Sequence, residues 1–394
     1  MGEQDDQLSD LQFWQNKESC VLANRRSAEL VQFGAKVEDW ISQQDDAAAC
    51  VWIATSGSSG RSRFVAIAKA ALWQSAMEVN RHLFVTSDDH WLAALPGFHV
   101  GGLAVYVRAL QAQCEMTLFE QRWDAHHFCE ALETRQITLT SLVPTQVYDL
   151  VSQGLKCPQH LRALIVGGEK LDVELGRSAR ALQWPVLQSY GMTEAGSQIA
   201  TEPLSALQRD FAGEWLAVLP NWQVREQAKG GSLQIKGGCL CRGYLEQAAS
   251  GELEFKAAGD AEGWFTTGDR VEIKKRDGKT KLKVLGRMDD LIKVLGEQVS
   301  MNQLNQCLQK LRRRQSEQVD AVLVAVPDER KGYRIIAAAS GDDRAIQSLL
   351  DAYRQQAAPY ERIDEVKIVR FIPRSALGKV ERKLLLQQLK LNCP

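Results

Sequence analysis

Residues Thr55 to Arg63 read TSGSSGRSR. Five hydroxyl side chains, two glycines and two arginines fall within these nine positions. An apolar run, CVWIA (50–54), precedes the stretch and another, FVAIA (64–68), follows it. A loop of this composition between two strands suits a phosphate group. Hydroxyls and backbone N–H groups donate to its oxygens, glycine lets the chain come close, and a cation offsets the charge. The chain carries neither the G-x-x-x-x-G-K-[ST] loop of P-loop NTPases nor the G-x-G-x-x-G turn of dinucleotide folds. Taken alone, the stretch reads first as a flexible Ser/Gly connection and second as a phosphate loop of another kind.

The totals bound the choice. A chain of 394 residues accommodates two domains, and 45% hydrophobic with 25% charged residues is the balance of a globular protein. The net charge of -1 argues against nucleic-acid binding by bulk charge and leaves room for a local basic site. Nine cysteines are scattered without a C-x-x-C pair, so neither a zinc site nor a disulfide framework is expected. Reduced thiols in the cytoplasm fit that usage. The start, MGEQDDQLSD, has no apolar core of a secretory signal, and no run of about 18 apolar residues marks a membrane span.

The pattern along the chain predicts its organisation. The first forty or so residues read as polar helix, with Leu8, Leu11 and Trp14 near a helical period. Strand-like runs (ACVWIA, HWLAAL, QITLTSLV, LRALIVGGE) then alternate with helical ones, which indicates an α/β domain with mainly parallel sheets. After about residue 213, short alternating runs with Gly and Asp turns indicate a β-rich subdomain. Beyond residues 287–290, strands VDAVLVAVPDE, YRIIAAAS and VKIVRFIPRS and the helices between and after them indicate a small α+β domain. The expected division is 1–287 and 288–394.

Four further motifs follow the opening stretch. They are SYGMTEAG (189–196), TTGD (266–269), GRMDDLIKVLGEQVS (286–300) and PRSALGKVERK (373–383). In this order and spacing the chain resembles the acyl-adenylate-forming ligases, the acyl-CoA synthetase-like family. TSGSSGRSR matches that family's phosphate loop at all nine positions, with Arg63 where lysine is commoner. The resemblance spans residues 55 to 383.

It implies a large AMP-binding domain, a small mobile C-terminal domain, and a two-step reaction using ATP, Mg2+ and coenzyme A. A carboxylate attacks the α-phosphate of ATP and pyrophosphate leaves; a thiol then attacks the acyl-adenylate. Two anions meet in the first step, so cations and amide dipoles must stabilise the charge on phosphorus. By this resemblance Thr55, Ser56, Gly57, Ser58, Ser59, Gly60 and Arg63 hold the β- and γ-phosphates, and Thr193 contacts the α-phosphate. Glu194 ligates magnesium, and Lys379 is the catalytic lysine. Gly167, Gly168 and Glu169 line the adenine, Tyr190, followed by Gly191, stacks on it, Asp269 accepts the ribose hydroxyls, and Arg287 reaches ribose and phosphates. Asp289 matches the hinge and Gly296 the CoA-side surface. Each residue also has a plainer reading: Lys379 as a solvated lysine, Asp269 as a turn cap, Glu194 in a capping box, and Arg287 with Asp289 as a linker ion pair.

LPGFHVGGLAVYVRAL (95–110) resembles the segment bordering the acyl pocket, which places His99 there; a hydrogen-bonded core histidine is the alternative. With SLVPTQ (141–146) and the short chain, the resemblance leans to the subgroup that activates o-succinylbenzoate for menaquinone or phylloquinone synthesis. Arg108 and Thr145 then suit an acid with a second carboxylate, although Arg108 also reads as a surface ion pair on a helix. The early position of the phosphate loop and the GGSLQIKGGCLCRGYL segment depart from the family pattern. Expected partners are a small-molecule carboxylic acid, ATP and CoA, with no nucleic acid and no membrane, in a monomer or homodimer. Two other functions stay open: an adenylating enzyme for another aryl or fatty acid that loads CoA or a separate carrier protein, and a non-catalytic adenylate sensor.

Overall fold

The computed structural model describes residues 3–25, 27–44, 47–56, 62–227, 231–248, 250–276, 278–288, 290–315, 319–374, 378 and 380–391. The chain divides into two compact units, 1–267 with 271–284, and 268–270 with 285–394.

The first unit opens with α1 (Glu3–Ser9), α2 (Leu11–Gln15), β1 (Cys20–Leu22) and α3 (Ala28–Ser42). The helical reading of this stretch missed β1. Three residues are too few for a periodic signal, and the strand exists because Cys20–Leu22 pairs in parallel with Val51–Ile53. Helix α3 starts where Ser27 Oγ accepts from Leu30 N, with Glu29 in the first turn. The next strands, β2 (Cys50–Ser56) and β3 (Ser62–Ala68), form an antiparallel hairpin in which Thr55 faces Arg63 and Ser56 faces Ser62. The ends of TSGSSGRSR therefore belong to paired strands; Gly57, Ser58, Ser59, Gly60 and Arg61 lie outside the described residues.

Strands and helices then alternate: α4 (Lys69–His82), β4 (His90–Ala93), α5 (Val100–Ala112), β5 (Glu115–Leu118), α6 (Ala125–Thr134), β6 (Leu139–Leu142), α7 (Pro144–Ser152), β7 (Ala163–Val166), α8 (Val173–Ala181) and β8 (Val186–Met192). Strands β4 to β8 pair in parallel in the order β5-β4-β6-β7-β8. Every residue of β6 and β7 is buried, as parallel strands covered on both faces require. One core joins α4 and α5 to residues of both large-unit sheets, including Val51, Val65, Leu103, Leu139 and Ile165. The opposite face packs Leu92, Leu142, Leu164 and Val186 against α6, α7 and α8.

From here the chain turns antiparallel: β9 (Ser197–Thr201), β10 (Leu216–Val218), β11 (Trp222–Glu226), β12 (Ser232–Gly237), β13 (Gly243–Gln247), β14 (Leu253–Ala257), β15 (Phe265–Arg276) and β16 (Lys279–Arg287). These strands do not form a layer of their own. Most extend the parallel sheet, in the order β11-β12-β15-β16-β10-β9-β8, and β13 and β14 join β1, β2 and β3 in a second sheet. Open edges at β8 and β3 offer unpaired backbone groups, and hairpins satisfy them.

The second unit holds β17 (Leu291–Val294), β18 (Glu297–Ser300), α9 (Met301–Gln315), β19 (Val319–Asp328), β20 (Gly332–Gly341), α10 (Asp343–Gln356), β21 (Glu365–Ile368) and α11 (Arg382–Gln388). Its sheet runs β18-β17-β20-β19 with β21 also on β20. Helices α9 and α10 cover one face, and Leu385, Leu386 and Leu389 of the α11 region cover the other. No helix among the described residues is long and apolar enough to cross a membrane.

A bidentate pair ties the amino ends of the parallel strands. Arg162 donates from Nε to Asp89 Oδ1 and from Nη2 to Oδ2, both at 2.7 Å. Burial alone would raise the Asp89 carboxyl; hydrogen bonds from Arg162, Thr86 and Thr138 outweigh it and hold it below its ordinary range. A depressed carboxyl stabilises the fold above its unfolded pKa, and that contribution is lost as pH falls through the folded value. Arg162→Met is expected to lower stability at pH 7 by about 2–3 kcal/mol, read from thermal unfolding. The gap between wild type and variant should shrink below about pH 4.

Candidate active site

Parallel strands direct the loops after them to one edge of the sheet, where doubly wound folds bind ligands. His99 caps α5 after β4, Thr145 lies in the first turn of α7 after β6, and Gly167-Gly168-Glu169 follows β7. Tyr190 to Glu194 closes β8. Segments far apart in sequence thus share the carboxyl edge. Thr145 is exposed and His99 half-buried, its ring 4.5 Å from that of Phe98.

The Gly167–Glu169 loop is clamped by the strand beside it. Gln188 Oε1 accepts from Leu171 N at 2.6 Å. Its Nε2 lies within hydrogen-bond range of three carbonyls, Val166, Glu169 and Ser189, at 3.2, 3.3 and 2.7 Å. Ser189 Oγ adds a bond to Val166 O at 3.0 Å. Gln188 is itself held, since its N–H donates to Glu202 Oε2 at 2.9 Å. Burial raises the Glu202 carboxyl, opposed by that N–H and by Arg180. Gly168 takes φ +82°, a backbone shape that favours glycine. Neither Gln188 nor Glu202 carries a motif signal of its own.

The SYGMTEAG segment reverses the chain. The β8–β9 register shifts between Tyr190 and Gly191. A Cβ on Gly191 would lie 1.8 Å from Ser197 O, so only glycine fits there. Ser197 itself sits at φ 129°, and Arg108 Nη2 donates to its Oγ at 3.1 Å. The structure corrects the surface ion-pair reading of Arg108, which is 1% exposed; its Nε has no hydrogen-bond partner among the described residues. Helix α5 runs back from the carboxyl edge, and nine residues of helix carry Arg108 roughly 13 Å from His99, under the reversal. Burial pulls its guanidinium down to about 9, and the Trp91 ring lies 5.6 Å away.

Thr193 opens a short 3-10 turn, and no side chain caps it, which removes the capping-box reading of Glu194. Glu194 instead accepts on Oε1 from Arg63 Nη2 at 2.9 Å and from Tyr244 Oη at 3.1 Å. The Arg63 guanidinium also lies 3.8 Å from the centre of the Tyr244 ring, and its Nη1 lies 3.7 Å from Glu246 Oε1. Burial, then the charges of Glu194 and its neighbours, push the Tyr244 hydroxyl well above its ordinary range, so it stays a protonated donor. The hairpin motif and the SYGMTEAG motif, over a hundred residues apart, therefore meet through one ion pair.

In the second unit Asp269 is 7% exposed and Arg287 Nη1 lies 3.7 Å from its Oδ1. Asp269 does not cap a turn; it lies inside β15, which runs on to Arg276 because β16 pairs along it. Arg287 is the last residue of β16, and Gly296 stands at the tip of the β17–β18 hairpin. Asp289 and Lys379 lie outside the described residues.

Two buried polar atoms suit a phosphate group. Thr55 Oγ1 and Arg63 Nε have no hydrogen-bond partner among the described residues, and such groups are costly unless a ligand satisfies them. No cluster of three or more His, Cys, Asp or Glu side chains fit to hold a metal occurs among the described residues. A magnesium ion here would take Glu194 with phosphate oxygens and water, its usual arrangement with nucleotides.

Comparison with known proteins adds the following. The sequence pattern described as "AMP-binding enzyme" matches residues 4–245. A 2-succinylbenzoate–CoA ligase of Bacillus licheniformis is 32% identical over 262 residues, 65% of this chain and 52% of that one. One of Bacillus pumilus is 29% identical over 339 residues, 84% of this chain and 67% of that one. The chain thus spans about half to two thirds of the length of these relatives. Among solved structures, the O-succinylbenzoate Coenzyme A synthetase (MenE) of Bacillus subtilis in complex with AMP superposes with a TM-score of 0.71 at 24% identity. It covers 85% of this chain and 68% of its own. ATP-bound MatB of Rhodopseudomonas palustris gives 0.69 at 24%, covering 86% and 68%. These likenesses establish the adenylate-forming ligase fold.

Gln188→Ala would leave the buried Leu171 N–H without its acceptor. It is expected to cost about 2–4 kcal/mol of stability and to weaken binding of a fluorescent adenine nucleotide. Unchanged nucleotide affinity in a folded variant would separate the clamp from the nucleotide site.

Proposed function

Because the chain belongs to the AMP-binding enzyme family, we propose that it is an acid–thiol ligase that makes an acyl-adenylate from ATP and then a thioester with coenzyme A. The observation that carries this reading is the Arg63–Glu194 contact. It brings a cation from the hydroxyl-rich hairpin to the carboxylate of SYGMTEAG, beside the edge where the Gly167–Glu169 loop and Tyr190 lie. An adenine against that loop and ring would direct its phosphates towards such a cluster.

The roles follow from the chemistry. The acid's carboxylate oxygen attacks the α-phosphorus, the bond to the β-phosphate bridging oxygen breaks, and pyrophosphate leaves. The coenzyme A sulfur then attacks the acyl carbon, and AMP leaves. Thr55, Ser56, Arg63 and the hairpin residues Gly57, Ser58, Ser59 and Gly60 grip the departing pyrophosphate. Thr193 donates to the α-phosphate, and Glu194 holds a magnesium ion whose charge offsets that of the phosphates. Asp269 accepts from the ribose hydroxyls, as an acceptor-only group can, with Arg287 beside it. Lys379 bridges the incoming carboxylate and the α-phosphate; Asp289 is the hinge that lets its domain leave, and Gly296 faces the thiol side.

The acid is o-succinylbenzoate. The names of the relatives support this, as does the helix that starts at Pro144 and carries Thr145 at the carboxyl edge. Arg108, whose buried Nε has no partner among the described residues, and His99 and Thr145 are the residues that meet the acid, the arginine suiting its second carboxylate. The enzyme works in the cytoplasm as a monomer or homodimer, a state that sedimentation decides.

Pyrophosphate release measured across a panel of carboxylic acids, with and without coenzyme A, tests the reading. O-succinylbenzoate is expected to give acid-dependent release and, with coenzyme A, a thioester. Release with a fatty or other aryl acid alone would overturn the substrate, and release with none would overturn the activity. Lys379→Ala should cut adenylation by roughly a hundredfold or more while sparing thioester formation from supplied acyl-adenylate. Equal loss of both half-reactions would remove Lys379 from its role. Arg63→Ala should raise the KM for ATP more than it slows the thiol step.

A further inference from the structure

We infer that Tyr244 is a positioning residue of the phosphate site. It and Arg63 occupy the same carboxylate oxygen of Glu194, and the other oxygen is the one presented to a cation. The inference rests on the reading of Glu194 as a cation ligand.

The arrangement starts with strand register. On the β3–β13 pair, Arg63 faces Glu246 and Val65 faces Tyr244. Residues two apart share a face of a strand, so Arg63 has Glu246 directly opposite and Tyr244 on the diagonal. The diagonal separation is roughly 7–8 Å, within reach of an arginine laid over an aromatic ring. The contacts agree: 3.7 Å to Glu246 Oε1 and 3.8 Å to the centre of the Tyr244 ring. A guanidinium can lie flat on the ring and still donate from its edge, which an ammonium cannot. Arg63 does both, and Nη2 reaches Glu194 Oε1.

Tyr244 completes the set. It is 8% exposed, and its hydroxyl reaches the same Oε1 at 3.1 Å. Glu194 Oε2 accepts no hydrogen bond from any described residue. A carboxylate offers about four lone-pair sites. Two donors on one oxygen hold the group against rotation and leave a single oxygen for a metal, which suits one-oxygen ligation beside phosphates. Below the carboxylate, Cys241 N donates to Glu194 O at 2.7 Å, so the segment carrying Tyr244 also anchors the Glu194 backbone. Tyr244 thus acts through Glu194 and Arg63 rather than on the reacting atoms.

Tyr244→Phe keeps the ring under Arg63 and removes only the hydroxyl. ATP binding to the full-length protein, followed by titration calorimetry over a series of Mg2+ concentrations, reads the effect. The Mg2+ concentration for half-maximal ATP binding is expected to rise roughly three- to tenfold, with metal-free ATP affinity unchanged. Arg63→Lys, which loses the flat contact with the ring, should shift the Mg2+ requirement in the same direction. Wild-type Mg2+ dependence in a folded Tyr244→Phe overturns the inference. Equal weakening with and without metal does so too, because that is the mark of a merely structural tyrosine. If the wild-type protein itself shows no Mg2+-linked ATP binding, the functional reading fails and this inference with it; normal linkage in the wild type but not a shifted one in the variants fails only the inference.

Discussion

Parallel pairing of β4 to β8 is the constraint from which the rest of the large unit follows. A parallel strand cannot return through a tight turn, so each needs a crossover helix, and every loop after a strand emerges at the same edge. His99, Thr145, Gly167–Glu169 and Tyr190–Glu194 all lie at the carboxyl ends of these strands or in the turns and helix starts that follow them. They converge because of topology alone. At β8 the pairing changes from parallel on one side to antiparallel on the other. The bulge at Tyr190 and Gly191 and the unusual backbone of Ser197 sit at that change, where the chain must reverse without a helix to carry it.

Charge is arranged there in two different ways. Arg63 shares two carboxylates with partial exposure on all sides, 23% for Arg63 and 14% and 33% for Glu194 and Glu246. Solvent therefore moderates both the attraction and the cost of desolvation. Arg108 is the opposite case. It is wholly enclosed, with Ser197 Oγ and the face of Trp91 around it. Its Nη2 holds the Ser197 side chain at the reversal, while its Nε has no partner among the described residues.

Much of this is legible in the sequence. Composition, the alternation of strands and helices and the five motifs located the fold and named the candidate site residues. What they did not reveal shares one property: distance along the chain. Arg63 and Glu194 are 131 residues apart, and Tyr244 lies 50 beyond Glu194. Gln188 reads as one more buried strand residue until the Gly167–Glu169 loop is seen bonded to it. Strand β1 is equally silent, because its three residues become a strand only by pairing with β2. The β-rich stretch has the right local pattern, but nothing in that pattern says that β13 and β14 leave their neighbours to pair beside β3.

By itself the sequence determined the residue types that chemistry needs: hydroxyls, glycines and a cation in TSGSSGRSR, a carboxylate in SYGMTEAG, and a second carboxylate in TTGD. Local spacing suffices for these because each loop's function lies in its own backbone and side chains. Only the tertiary structure decided which of those groups touch. The β3–β13 register put Tyr244 beneath Arg63, and the β8 reversal brought Glu194 to both. Such contacts depend on which strand edges pair, a choice made by backbone hydrogen bonding and core packing across the whole unit, and no short stretch of sequence encodes it.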